Sequence, residues 1–434
     1  MRFFPLEKLG ARVAELRGAV NRERVAIPGF RYLEADPRGA EQPGFDDTGW
    51  APFNVGDFWG GYDKVAWFRT TVDVPAAWRD RKLALRFLVG PRDGGDSTAE
   101  TLLHVNGHAL QGIDIWHEEA WLPPEEYASG SVQVALRCWS GVLGVPPRRR
   151  FAVAELVAVD EATEKLYFLA DTLLKVLKEL EPTDWHYQAI LSPLQQAFGL
   201  IENLQQGSAE FYQAAAQAAE CLAQGVAGLA GREAGRPVVT AVGHAHIDLA
   251  WLWRQEHARE KAIRTFATVL HLQRQYPEYR FMHSSPQLYR WLESDHPEVF
   301  ARVRERIASG DWEITGGMWV ESDTNLPSGE SLVRQIIHGK RYIKDTFGVD
   351  SKVLWLPDVF GYSAILPQLL LKSGLPYFVT TKLSWNQFNR MPHDTFKWRG
   401  IDGSEVLAHF ITTPERNSRH YTYNGELDPR EVAG

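Results

Sequence analysis

The pattern after Arg236 constrains this chain most. Six short β-type runs follow in order: "PVVTAVGHA", "YRFMHSS", "WEITGGMW", "KVLWLPD", "YFVTTKL" and "EVLAHFITT". Helical stretches such as "QLYRWLESDHPEVFARVRERIASG" and "SGESLVRQIIHGKRYIKDTFG" lie between most of them. Strands alternating with helices predict a parallel sheet, because each parallel crossover needs a dozen residues or more. Six such units without an obvious reversal predict a barrel or a barrel-like arrangement. The run breaks off at Gly434 in "NGELDPREVAG" with no helix after the last clear strand, so a truncated barrel is expected.

The preceding residues follow other periods. After a short amphipathic opening helix, the chain to residue 160 reads as all-β, with alternating runs such as "VAWFRTTVDVP" and "KLALRFLVG". Asn106-Gly107 in "TLLHVNGHALQG" predicts a hairpin, since both residues tolerate the positive φ of a tight turn. From 161 to 235 the pattern is helical, with apolar residues three and four apart and an alanine-rich stretch. The expected order is therefore a β-sandwich over 1–160, a helical linker over 161–235 and a β/α domain over 236–434.

Composition narrows the function classes. A net charge of −8 argues against nucleic acid or an anionic membrane surface as partner. The sequence has no apolar run of spanning length and no signal-peptide pattern at its start, so a cytoplasmic address is expected. Cys138 and Cys221 are the only cysteines, too few for a disulfide framework or a thiolate metal site. The oligomeric state stays open.

Ligands of α/β folds bind at the carboxyl ends of the strands. There the first run places His244, His246 and Asp248, the second His283, the third Glu321 and Asp323, the fourth Asp358, and the sixth His409. Period-two alternation puts His244, His246 and Asp248 on one face. Two metal sites fit that spacing. One is an H-x-H metallohydrolase site of amidohydrolase type, using His244 and His246 with His283 and His409. The other is an H-x-D site using His246 and Asp248.

The segments "GHAHIDLAWLW", "GGMWVESDTNLPSGESLVRQ", "WLPDVFGYS", "LPQLLLKSGLPYFVTTKLSWN" and "PHDTFKWRGIDGSEVLAHF" closely resemble the glycoside hydrolase family 38 α-mannosidases, most nearly the bacterial and cytosolic type. The motifs occur in the family's order from about Val238 to Phe410. Upstream, "FDDTGWAPFNVGDFW", "WFRTTVDVP" and "HVNGH" resemble the jelly-roll sugar-binding domains attached to many glycosidases. The resemblance implies a multidomain α-mannosidase: a jelly-roll sandwich, a helical linker and part of a β/α barrel that is seven-stranded in the family. It implies one Zn2+ per site, held by His246, Asp248 and Asp323, with His244 as a neighbour only. Asp323 would also be the nucleophile, Trp251 the platform beneath the mannose ring and Asp358 a hydrogen-bond partner of the sugar. Trp253 is expected only to pack.

A retaining glycosidase needs a nucleophilic carboxylate and an acid carboxyl about 5 Å away. The resemblance leaves that acid unassigned, with Glu415 and Asp428 as the candidates. The family's fourth zinc ligand, a histidine, falls beyond Gly434, so this chain alone is expected to bind zinc weakly or not at all and to hydrolyse no mannoside. The non-enzymatic rival is a carbohydrate-binding fragment with Trp50, Trp59 and Trp67 as sugar platforms, although buried packing is the more ordinary use of sandwich tryptophans. The partners expected are mannose-containing oligosaccharides.

Overall fold

The architecture was read from a computed structural model, which describes residues 5–90, 99–142, 148–229, 239–414 and 420–433. They form two compact units, Met1–Val238 with Asp428–Ala433, and Val239–Leu427 with Gly434.

In the first unit, alternating sequences build two antiparallel sheets. One has six strands in the order Ala51–Asn54, Gly29–Leu33, Val65–Asp73, Ser131–Trp139, Glu100–Val105 and His108–Ile113. The other has four, Asn21–Ala26, Val153–Val159, Lys82–Leu88 and Glu119–Leu122. Alternate residues of both sheets, among them Phe68, Leu85, Phe87, Leu136 and Leu156, meet in one core with Trp59 and Phe151. The predicted hairpin is present: Asn106 and Gly107 take φ of 50° and 89° and link Glu100–Val105 to His108–Ile113. Trp50, Trp59 and Trp67 are all buried, with Trp59 donating to the Val89 carbonyl and Trp67 to Asp36. None of the three is a sugar platform.

The helices of this unit start at side-chain caps that satisfy free amide donors. Asp160 accepts from Thr163 N at Glu161–Glu179, Asp184 from His186 N at Trp185–Leu200, and Ser208 from Phe211 N at Ala209–Ala227. Together with the opening helix, Pro5–Val20, they enclose a second core that includes Leu9, Leu16, Leu166, Leu194, Phe198 and Leu222. The helical stretch thus forms a small bundle, to which the first helix of the chain also belongs.

All six predicted runs of the second unit contain a strand. Gly243–His244, Phe281–His283 and Trp312–Ile314 pair in parallel, as do Val353–Trp355, Tyr377–Thr380 and Glu405–Phe410. A parallel bridge from Gly316 to Leu354 joins the two sets. Two features differ from expectation. Thr395–Arg399 is an additional strand, antiparallel to Glu405–Phe410. The row therefore does contain a reversal, made by the tight "GIDGS" turn in which Gly403 has φ of 87°. Among the described residues the row of strands is open and closes into no barrel. The long helical stretch after the second strand is also two helices, Pro286–Asp295 and Pro297–Ser309, because Pro297 cannot donate to a continuous helix.

Candidate active site

The carboxyl ends of these parallel strands gather the polar side chains. Strand pairing at the first run stops at His244, opposite Met282. His246 and Asp248 leave the sheet, so period-two alternation does not extend to them and the expected common face with His244 is not formed. His244 instead packs its ring against Trp355 and His283, at centroid distances of 5.0 and 5.9 Å. Burial, with the nearby His283 and His246, pulls its pKa down to about 3. His283 is buried, its Nδ1 faces the Ser284 carbonyl, and desolvation lowers its pKa to about 4. His409 lies on the exposed side of its strand, with Nδ1 2.8 Å from Thr395 Oγ1. His244, His246 and His283 are therefore neighbours, but no three of the four histidines form a ligand group among the described residues.

His246 is the centre of the cluster. Its Nε2 lies 3.1 Å from Asp248 Oδ1 and 3.7 Å from Asp358 Oδ2. Its Nδ1 lies 2.9 Å from Glu321 Oε2. Burial disfavours a charged imidazole, but hydrogen bonding and charge from Asp248 and Glu321 outweigh it and push the pKa up to about 10. Asp358 turns its other oxygen to Lys382, 2.7 Å away. Lys382 is almost wholly buried, its Nζ 3.6 Å from the centre of the Trp385 ring and 4.8 Å from that of Phe360. Tyr423 packs 5.2 Å from the His246 ring, and burial followed by the Asp358 charge raises its pKa.

His246, Asp248 and Asp358 offer ligand atoms that all lie within 4.8 Å of one another, the one such group among the described residues. One imidazole and two carboxylates suit zinc or a similar divalent ion. His246 Nδ1, Glu321 Oε2 and Asp358 Oδ1 are buried and meet their partners as close ion contacts, not as aligned hydrogen bonds. The donor set of His246 Nε2, Asp248 Oδ1 and Asp358 Oδ2 fits a metal ion there.

Of the ligands implied by resemblance, His246 and Asp248 come together, and Asp358 rather than Asp323 stands beside them. Asp323 is exposed on the turn before the Gly329–Phe347 helix, where its Oδ1 accepts from the Asn325 and Leu326 amides at 2.8 Å each. Trp251 presents a ring that is 62% exposed, as a platform requires. Trp253 does more than pack: its Nε1 donates to the Asp248 carbonyl at 3.0 Å and fixes the backbone of that residue. Asp428 belongs to the first unit, where it lies 3.3 Å from Lys175 and caps Pro429–Ala433 through the Arg430 amide. Glu415 lies outside the described residues. Sequence reasoning missed Lys382, although applying the strand-end rule to the fifth run finds it two residues after Thr380.

Residues 236–434 match the model of the glycosyl hydrolases family 38 N-terminal domain, and residues 41–139 that of the α-mannosidase jelly roll domain. Alpha-mannosidase G of Dictyostelium discoideum is 33% identical over 399 residues, which are 87% of this chain and 34% of that protein. Alpha-mannosidase 2C1 of Homo sapiens is 33% identical over 377 residues, 83% of this chain and 34% of that protein. The alpha-mannosidase of Saccharomyces cerevisiae is 48% identical over 172 residues, 39% of this chain and 16% of that protein. The chain thus spans about a third of the length of the curated relatives that it matches most extensively. With a jelly-roll domain ahead of them, and the His246–Asp248 pair at their strand ends, residues 236–434 belong to the N-terminal domain of glycoside hydrolase family 38.

Proposed function

We propose that this protein is a zinc-dependent, retaining α-mannosidase acting on terminal α-mannosides of oligosaccharides. The observation that carries the reading is the His246, Asp248 and Asp358 cluster at the carboxyl ends of the strands of a family 38 domain. We also read the open row of strands as part of the family's seven-stranded β/α barrel.

His246 and Asp248 hold the metal in this reading, with Asp358 beside them in the present arrangement and Asp323 implied by the family motif. A bound zinc polarises sugar hydroxyls and helps to orient the ring. His246 loses its Nε2 proton when that atom becomes a ligand, and its Nδ1 keeps one facing Glu321. Trp251 supplies an apolar face for the sugar, and Lys382 holds Asp358 in orientation through its 2.7 Å contact. Asp323 attacks the anomeric carbon, forming a glycosyl ester as the bond to the leaving oxygen breaks and that oxygen takes a proton from an acid group. Water then attacks the anomeric carbon, giving up a proton to the same group, displaces the Asp323 carboxylate and releases mannose with its configuration retained.

The test is hydrolysis of p-nitrophenyl α-mannoside by the purified full-length enzyme, before and after chelation and after zinc is restored. Proton magnetic resonance identifies the anomer released first. Loss on chelation, recovery with zinc and first release of the α-anomer are expected. A rate indifferent to chelation, or first release of the β-anomer, overturns the reading. Zinc content of Asp358→Ala beside Asp323→Ala shows which carboxylate completes the donor set, and a panel of linkage-defined mannobioses identifies the bond cleaved.

A further inference from the structure

We infer that Glu321 is a positioning residue for the metal site: held by Ser284, it fixes the ring and the tautomer of His246 so that Nε2 faces Asp248 and Asp358. The inference rests on the metal-dependent reading above. An imidazole that binds a metal through Nε2 must carry its proton on Nδ1, and the group facing Nδ1 sets that choice. Here the group is a carboxylate oxygen 2.9 Å away, on a side chain only 12% exposed. Glu321 lies on the opposite edge of the ring from Asp248 and Asp358, so it serves the ligand and is not a ligand of the same ion.

Glu321 is itself anchored. Its other oxygen, Oε1, accepts a 2.6 Å hydrogen bond from Ser284 Oγ, and Ser284 is 1% exposed at the end of the Phe281–His283 strand. Two local departures from ordinary backbone keep Ser284 there. Ser285 takes φ of 62°, left-handed and unfavourable for a residue with a side chain. Gly316, with φ of 115°, passes so near that a Cβ on it would lie 2.9 Å from Ser284 Cβ. The second and third strand ends thus hold a Ser284–Glu321–His246 relay whose last member belongs to the first.

Zinc dissociation constants, measured against a chromophoric chelator, test this in the full-length wild type and its Glu321→Ala, Glu321→Gln, Ser284→Ala and His246→Ala variants, with thermal melts of each metal-free protein. Glu321→Ala should bind zinc 10- to 100-fold more weakly, the usual cost of losing such a partner. Glu321→Gln should recover part of that loss, because its amide oxygen still accepts from Nδ1, and Ser284→Ala should lose a few-fold. Metal-free melting of the Gln variant should match wild type. Should Glu321→Ala fail to fold, Glu321→Gln and Ser284→Ala carry the comparison. Wild-type zinc affinity in these folded variants overturns the inference and leaves the metal site standing. Equal zinc binding by wild type and His246→Ala, or none by either, overturns both.

Discussion

The sandwich and the strand-end cluster differ in how they satisfy their buried charged groups. In the sandwich, Arg69 is 3% exposed, yet it donates to Asp47 at 2.8 Å and to the Ala40 carbonyl. Arg149, fully buried, donates to the Ser140 carbonyl at 2.6 Å. Around His246, three carboxylates approach one imidazole, and neither nitrogen of the neighbouring His244 has a hydrogen-bond partner among the described residues. Completed polar contacts hold a fold together. Incomplete ones, clustered in one place, mark where a ligand is to supply the remainder.

Four substitutions or conditions test that contrast. The largest effect belongs to Asp323. As the proposed nucleophile, its loss should reduce turnover by roughly a thousandfold or more, with only the small stability cost of its two turn hydrogen bonds. Retention of a tenth of the wild-type rate removes Asp323 from the mechanism and returns it to capping its own turn. On the sandwich side, Phe68→Ala should cost about 3–5 kcal/mol in denaturant unfolding, without changing zinc affinity. A parallel drop in zinc affinity would break the proposed separation of roles.

Next comes acid sensitivity. His283 prefers to be neutral in the fold, with a pKa near 4 caused chiefly by burial. Below its unfolded value of about 6.5 the unfolded chain takes up the proton more readily, so stability falls with pH until about pH 4. The loss is on the order of 3 kcal/mol, read from melts of metal-free protein, and His283→Gln should flatten it. In the sandwich the sign reverses: the Asp114 hydrogen bond raises His117, so its contribution is present below about pH 6.5 and is lost at higher pH. The smallest effect is that of Trp251→Ala, which should weaken substrate binding by ~1 kcal/mol in the Michaelis constant. An unchanged constant would make that exposed ring irrelevant to the sugar.

What could be read from the sequence was local. Asn106-Gly107 fixes its hairpin because two adjacent residues suffice for the turn. His246 and Asp248 could be paired on sight because only one residue separates them. The contacts Asp358–Lys382, Glu321–His246 and Ser284–Glu321 could not, since each depends on which strand ends become neighbours across the sheet. The missed Thr395–Arg399 strand is different: "IDGSE" carries an Asp-Gly turn signal that was legible but overshadowed by the helix–strand rhythm around it.

That added strand also bears on how the protein keeps to itself. Among the described residues it is the last member of its sheet, and an outermost strand invites pairing with a strand of another molecule. Lys397 and Arg399 are both exposed along it, so a second copy docking in register would set cations against cations. The two cations on the Thr395–Arg399 strand thus oppose the pairing that its edge position invites.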